Sequence, residues 1–201
     1  MSEGKSKQEI REQLEEHLNS PLPILLRLRN LVFGEQAPDT YTKISFFFAL
    51  IIWCIFFLWS ILGLVVIQSR HWIKEEKKID VTQLIEQRGQ ELGFDRFVFA
   101  DRLETFHTAS IVCWIIVFAG LVLLYRKRME FIYLFGAGTG IYLLLMWFML
   151  GFGYWLKDTT TFDKIVFILM VAHTFLYYYF LKMEKAGNKT NFFGIKEEDN
   201  D

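Results

Sequence analysis

Four long apolar blocks constrain this chain more than any other feature of its sequence. They are Ile44–Gln68, Thr108–Tyr125, Phe131–Phe152 and Lys164–Leu181, and almost no charged residue falls inside them. Each block is close to the roughly 20 residues that a helix needs to cross about 30 Å of hydrocarbon. Because lipid offers the backbone no hydrogen-bond partners, such blocks must be helical. The sequence therefore predicts an all-α integral membrane protein with a four-helix transmembrane bundle, in contact with the lipid bilayer.

Composition argues against nucleic acid as a partner and against a metal site at the cysteines. The net charge is −1, with acidic and basic residues nearly equal in number, so the sequence lacks the concentrated basic surface of a nucleic-acid-binding protein. Cys54 and Cys113 both lie in apolar blocks and match no metal-ligand spacing. We interpret them as small buried hydrophobes.

The distribution of Lys and Arg in the short loops predicts the orientation. The tight turn between the second and third blocks reads Arg126-Lys127-Arg128, which places it in the cytoplasm. With four spans, both termini are then cytoplasmic, and the expected location is the cell membrane. One cluster opposes this orientation, because basic residues also follow the first block on the side assigned to the outside: Arg70, Lys74, Lys77 and Lys78.

The chain divides into three parts. Residues 1–38 form a cytoplasmic or interfacial arm, residues 39–185 hold the four spans, and residues 186–201 form a polar tail with the composition of a disordered segment. Within the second part, the outer loop 69–105 is too short for an independent domain and is predicted to cover the outer end of the bundle. Asp80 and Gln83 resemble a capping box that starts a helix there.

Two sets of residues are predicted to lie at the membrane interface. The arm carries an apolar stripe at helical spacing, the pattern of an amphipathic interfacial helix or of a helix packed on a partner protein. Two tryptophans near span ends, one after the first span and one at the end of the third, are expected to be interfacial anchors. The interface residues are Ile24, Leu25, Leu28, Leu31, Trp72 and Trp155.

The third block contains a glycine pair with the G-x-x-x-G spacing of closely packed membrane helices. Gly136 and Gly140 fall on one helical face about a turn apart, where the absence of side chains lets another helix approach. The sequence does not decide whether that helix belongs to this chain, to a second copy or to another subunit.

Apart from the thiols and tyrosines, His173 is the only ionisable side chain that the sequence places deep in a span, about 15 Å from the outer end by helix rise. Ionisable residues at such depth are candidates for function, here as a haem ligand, a proton relay or a quinone contact. The structural alternative is a neutral imidazole bonded to a nearby hydroxyl, with Thr174, Tyr177 and Tyr178 adjacent in sequence.

A possible metal site precedes the second block. Asp101, Glu104 and His107 are spaced three residues apart, which places them near one face of a helix, and His71 at the end of the first span could add a ligand. The structural alternative is that Asp101 and Glu104 form a capping box.

Three functions remain open. The leading hypothesis is a non-catalytic subunit, or an assembly or scaffold partner, of a larger membrane complex, with other membrane subunits or self-association through the Gly136/Gly140 face. The alternative is a redox or metal-binding subunit that uses His173 or the Glu104/His107 face, with haem or metal as cofactor. An oligomeric channel or transporter is the third, and no stripe of polar residues along a span supports it.

Overall fold

The computed structural model describes Asn30, Gly34 and residues 38–78, 80–95 and 98–186. Within these residues the fold is entirely helical, with six helices and no strand. The helices are α1 (Thr40–Gln68), α2 (Arg70–Lys77), α3 (Val81–Glu91), α4 (Phe99–Tyr125), α5 (Phe131–Lys157) and α6 (Thr161–Lys185). Four of them, α1, α4, α5 and α6, are long and apolar enough to cross a membrane, which confirms the predicted multi-pass bundle. The predicted interfacial stripe Ile24–Leu31 and most of the tail lie outside the described residues.

The four long helices alternate in direction, so each end of the bundle has its own connections. We call the end from which residues 69–98 emerge the loop end, and the end with the α4–α5 turn the turn end. At the loop end α4 begins at Phe99, nine residues before the apolar block that the sequence indicates. The helix therefore continues through polar residues that hydropathy alone would assign to the loop.

Side chains at the helix starts account for several boundaries. Asp39 accepts a hydrogen bond from Thr42 N at the start of α1, and Asp80 accepts one from Gln83 N at the start of α3, as the sequence predicts. At α6, Thr160 and Asp163 form a reciprocal capping box. Each cap satisfies a backbone N–H that has no partner within the first turn of its helix.

The capping box predicted at Asp101 is wrong. Helix α4 begins before Asp101, and its N-cap residue Val98 makes no side-chain capping bond. Instead, the buried carboxylate of Glu86, on α3, accepts a hydrogen bond of 3.0 Å from Ala100 N. A cap supplied from another helix leaves no local sequence pattern, so spacing could not reveal it.

Two glycines let α4 and α5 pack closely. A Cβ built on Gly120 would lie 2.9 Å from Phe135 N, and one built on Gly138 would lie 2.9 Å from Cys113 O. Both contacts are with backbone atoms, which cannot rotate away. The close packing of α5 inside this chain therefore uses Gly138, on a different face from Gly136 and Gly140.

Helix α5 has a break near its loop end. Gly151 has φ 77° and ψ 160°, a conformation that residues with a Cβ rarely adopt. Residues 152–157 continue as helix beyond it. The predicted end of this span at Phe152 thus coincides with the break, and the chain turns there toward the start of α6.

A polar network ties three elements together at the turn end. Lys127 Nζ, in the α4–α5 turn, lies 2.8 Å from Asp39 Oδ1 and 3.0 Å from Glu184 Oε1. Thr42 Oγ1 donates to Asp39 Oδ1, so the 2.8 Å contact between Thr42 and Tyr177 has the tyrosine hydroxyl as donor. These bonds link the start of α1, the turn and the last part of α6.

Candidate functional site

A cavity of about 220 Å³ lies at the loop end, between the four long helices. Helix α1 contributes Phe56 and Ser60 to its wall, α4 contributes His107, and α5 contributes Tyr142. The turn between α5 and α6 closes part of its outer side. The remaining lining residues are Ile55, Trp59, Phe106, Met146, Tyr154, Asp158, Thr159, Thr160 and Asp163.

His107 is held inside the bundle by contact with α1. It is 5% exposed, and a Cβ built on Gly63 would lie 2.5 Å from its Nε2. Any side chain at position 63 would overlap the imidazole where it now lies, so His107 would have to shift. His107 Nδ1 is buried and has no hydrogen-bond partner among the described residues.

The outer side of the cavity is anchored by α3. Arg88 Nη2 and Nε both lie 2.7 Å from Asp158 Oδ1, and Arg88 also pairs with Glu91. These hydrogen bonds and charges, from Asp158 first, raise the pKa of Arg88. The contact of Gly89 with Phe99 brings α3 against the start of α4. Part of the loop 69–98 thus covers the loop end, as the sequence suggests.

Asp158 is the second side chain of the cavity with a buried atom that lacks a hydrogen-bond partner among the described residues. Its carboxylate is 18% exposed, and while Oδ1 binds Arg88, Oδ2 is buried without a hydrogen-bond partner in the described part of the chain. Nothing in the sequence marks Asp158 as a site residue, because it follows the third span as one polar residue among several.

The predicted metal site is not assembled. Asp101 is exposed, Glu104 lies 4.0 Å from Arg70, His107 points into the bundle, and His71 is exposed on α2. Among the described residues, no three His, Cys, Asp or Glu side chains are placed to hold a metal ion. Each step of three residues falls about 60° short of a full helical turn, so His107 faces about 120° away from Asp101.

His173 lies between α6 and α1, where its ring packs edge-on against Phe48 with ring centroids 4.9 Å apart. It is half-buried, and its Nε2 has no hydrogen-bond partner among the described residues. Two of the three neighbouring hydroxyls are used elsewhere, since Thr174 donates to Met170 O and Tyr177 bonds Thr42. The local partner expected for a structural imidazole is therefore not one of these two residues.

The two histidines inside the bundle are too far apart to share a cofactor. His107 contacts α1 at Gly63 and His173 contacts it at Phe48. About 22 Å of helix separates these two positions on α1. A haem iron held by both imidazoles is excluded by that distance.

Gly136 and Gly140 lie on an open face of α5. Apart from the backbone of α5 itself, a Cβ built on either residue would have no atom of the described residues within 4 Å. Neighbouring positions on that face are exposed and apolar, among them Tyr133, Ala137, Ile141 and Leu144. The glycine pair is therefore not used for packing within the described part of this chain.

The two predicted interfacial tryptophans differ in their surroundings. Trp72, on α2, is 61% exposed, just beyond the end of α1. Trp155 is half-buried. Its ring centroid lies 6.4 Å from the ring centroid of Phe167 and 5.9 Å from Lys164 Nζ. Their positions in the membrane stay predictions.

Comparison with known proteins found no resemblance: no family model, curated protein or solved structure matched the chain.

Proposed function

We propose that this chain is a non-catalytic membrane subunit that binds another membrane helix through the Gly136/Gly140 face of α5. One observation carries the proposal: this glycine pair has the spacing of a helix-packing motif, yet no other helix in the described part of the chain packs against it. Glycine lowers helix propensity by about 1 kcal/mol relative to alanine. A close approach by another helix compensates for that cost.

The rest of the surface is compatible with contacts to lipid and to other subunits. Large apolar side chains are exposed on all four long helices, including Trp59, Val112, Phe148 and Ile168. Such surfaces need no partner in a bilayer, because lipid tails are equally apolar. The open glycines are the feature that points to a protein partner rather than to lipid.

The two alternative functions have less support. A haem held by two histidines needs a second ligand besides His173, and the separation of the two bundle histidines excludes His107 from that role. The channel hypothesis needs a path through the bundle. Below the cavity, however, the interior is filled by Trp114, Met146 and Met170, each at most 1% exposed.

Variants of the glycine face test the proposal. The full chain and its Gly136→Leu and Gly140→Leu variants would be purified gently from the native membrane, with Ala119→Leu, an exposed position on α4, as the matched control. We expect a companion protein or a second copy to remain bound to the wild type and the control, and to be lost from both glycine variants. As isolated chains without companions, the glycine variants should be no less stable to heat than the wild type and the control.

Retention of the same companions by both glycine variants would refute the proposal. Purification of the wild type as a single chain without companions, in several mild detergents and in native nanodiscs, would also refute it. A Soret band or stoichiometric metal in the purified wild type would favour the redox alternative instead.

We also propose that the chain lies in the cell membrane with both termini in the cytoplasm. The Arg126-Lys127-Arg128 turn supports this orientation. In a background with Cys54 and Cys113 replaced by Ala, a membrane-impermeant thiol reagent should label Gln90→Cys in intact cells. It should label Arg128→Cys only after permeabilisation. The reverse pattern would invert the orientation.

A further inference from the structure

The cavity at the loop end is lined by negatively charged groups, as a cation site is. Among the described residues, its lining contains two carboxylates, Asp158 and Asp163, and no lysine or arginine. Arg88 neutralises part of the charge of Asp158 from outside the lining. Carboxylates in a partly enclosed space with apolar walls attract positive charge more strongly than they do in water.

Two buried atoms in the lining residues lack hydrogen-bond partners in the described part of the chain. They are Asp158 Oδ2 and Nδ1 of His107, a residue that is 95% buried because its exposure is 5%. A buried polar atom without a partner costs about 1–3 kcal/mol, and such atoms are rare in folded proteins. A carboxylate oxygen can only accept, and a neutral imidazole nitrogen accepts or donates according to tautomer. A ligand with N–H groups would satisfy both.

The walls indicate the size and type of that ligand. Five aromatic residues contribute to the lining, and the faces of aromatic rings attract cations. They are Phe56, Trp59, Phe106, Tyr142 and Tyr154. A cavity of about 220 Å³ is smaller than the roughly 300–1,000 Å³ typical of drug-sized ligands. Trp59 and Thr160 are exposed as well as lining, so the mouth lies between α1 and the α5–α6 turn.

We propose that this cavity binds a small organic ammonium ion, with Asp158 and His107 accepting its N–H groups. The ammonium could belong to a free amine or to the headgroup of a phospholipid, since the mouth lies beside a helix that faces lipid. The proposal does not depend on the assembly role of the Gly136/Gly140 face, which is on another part of α5.

The test measures binding of butylammonium to the full chain in phosphatidylglycerol nanodiscs by ligand-observed NMR titration. Empty nanodiscs, 1-butanol and butyrate are the controls for partition into lipid and for charge. We expect butylammonium to bind saturably and 1-butanol and butyrate not to do so. Asp158→Asn and Asp163→Asn should each weaken it about tenfold or more, whereas Asp101→Asn, an exposed carboxylate at the same end, should leave it unchanged.

The source of the ammonium is decided by adding phosphatidylethanolamine to the nanodiscs. Competition with butylammonium identifies a lipid headgroup as ligand, and no competition identifies a free amine. The proposal fails if butylammonium does not bind saturably to the wild type, or if butanol and butyrate bind equally well. It also fails if Asp101→Asn weakens binding as much as a folded Asp163→Asn variant does. This comparison remains decisive even when Asp158→Asn does not fold.

Discussion

The imidazole of His107 lies against the backbone of Gly63, so that a single methyl group on residue 63 would come within 2.5 Å of Nε2. This contact fixes the face of α4 that turns toward α1. It also places the histidine in the wall of the cavity rather than beside Asp101 and Glu104. The geometry of the loop end therefore depends on a glycine that no motif identifies.

Gly63→Ala should destabilise the protein by about 1–3 kcal/mol, because the added methyl group must displace a buried ring. The matched control is Gly136→Ala, which adds the same methyl group where no other helix of the described residues lies within 4 Å. We expect the control to be neutral or slightly stabilising, since alanine favours the helix more than glycine does. Thermal unfolding in detergent, followed by circular dichroism, measures both. Equal stability of the two variants would show that His107 moves aside freely.

The α4–α5 contact gives a second pair of opposite outcomes. Gly120→Ala should cost about 1–3 kcal/mol or more, because its methyl group would meet the backbone of Phe135 and force the helices apart. Gly140→Ala should have little effect on the isolated chain. Both substitutions make the same chemical change in a membrane helix, so intrinsic helix propensity cannot explain a difference. A destabilised Gly140→Ala variant would contradict the open face.

Hydropathy was enough to predict the four spans because crossing lipid demands long apolar helices. It could not predict which glycine packs inside the chain, since Gly136, Gly138 and Gly140 lie together in one segment. Their roles depend on the rotation of α5 about its axis, which is fixed by partners distant in sequence. The cavity depends in the same way on the break at Gly151, which brings Asp158 to the bundle.

Helical spacing was likewise insufficient for the metal site. Asp101 and His107 are two steps of three residues apart. Each step falls short of a full helical turn, and the two shortfalls add, so the two side chains point in different directions. The sequence correctly placed these residues at one end of one helix. It could not show that His107 is buried against Gly63 while Asp101 remains exposed.

The ion pair at the turn end predicts a dependence on pH. Partial burial raises the pKa of Asp39, but hydrogen bonds from Lys127 and Thr42, together with the charge of Lys127, lower it to about 2. Because this folded-state pKa is below the usual value of 3.8 for an aspartate, the ionised carboxylate stabilises the fold above pH 3.8. The contribution is lost as the pH falls from 3.8 to about 2.

Asp39→Asn removes that contribution at every pH, so its stability relative to the wild type reports Asp39 alone. The difference between the two should be constant from pH 7 to pH 5 and should shrink below pH 4. Glu130→Gln, an exposed acidic residue beside the same turn, is the control and should show no such window. Melting temperatures from pH 2 to pH 7 provide the measurement. A constant difference across the whole range would contradict the lowered pKa.

His173 provides the last prediction, because the structure leaves its Nε2 buried and without a partner in the described part of the chain. Replacing an unpaired polar group by an apolar group of similar size is neutral or stabilising. His173→Leu should therefore keep or raise the melting temperature of the isolated chain, and His173→Gln should lower it slightly, because an amide beside Phe48 is still unpaired. Ala172→Leu, at the exposed neighbouring position, controls for a change of side chain on α6. A loss of about 1–3 kcal/mol in His173→Leu, with Ala172→Leu unaffected, would contradict the prediction and show that the imidazole makes a stabilising hydrogen bond.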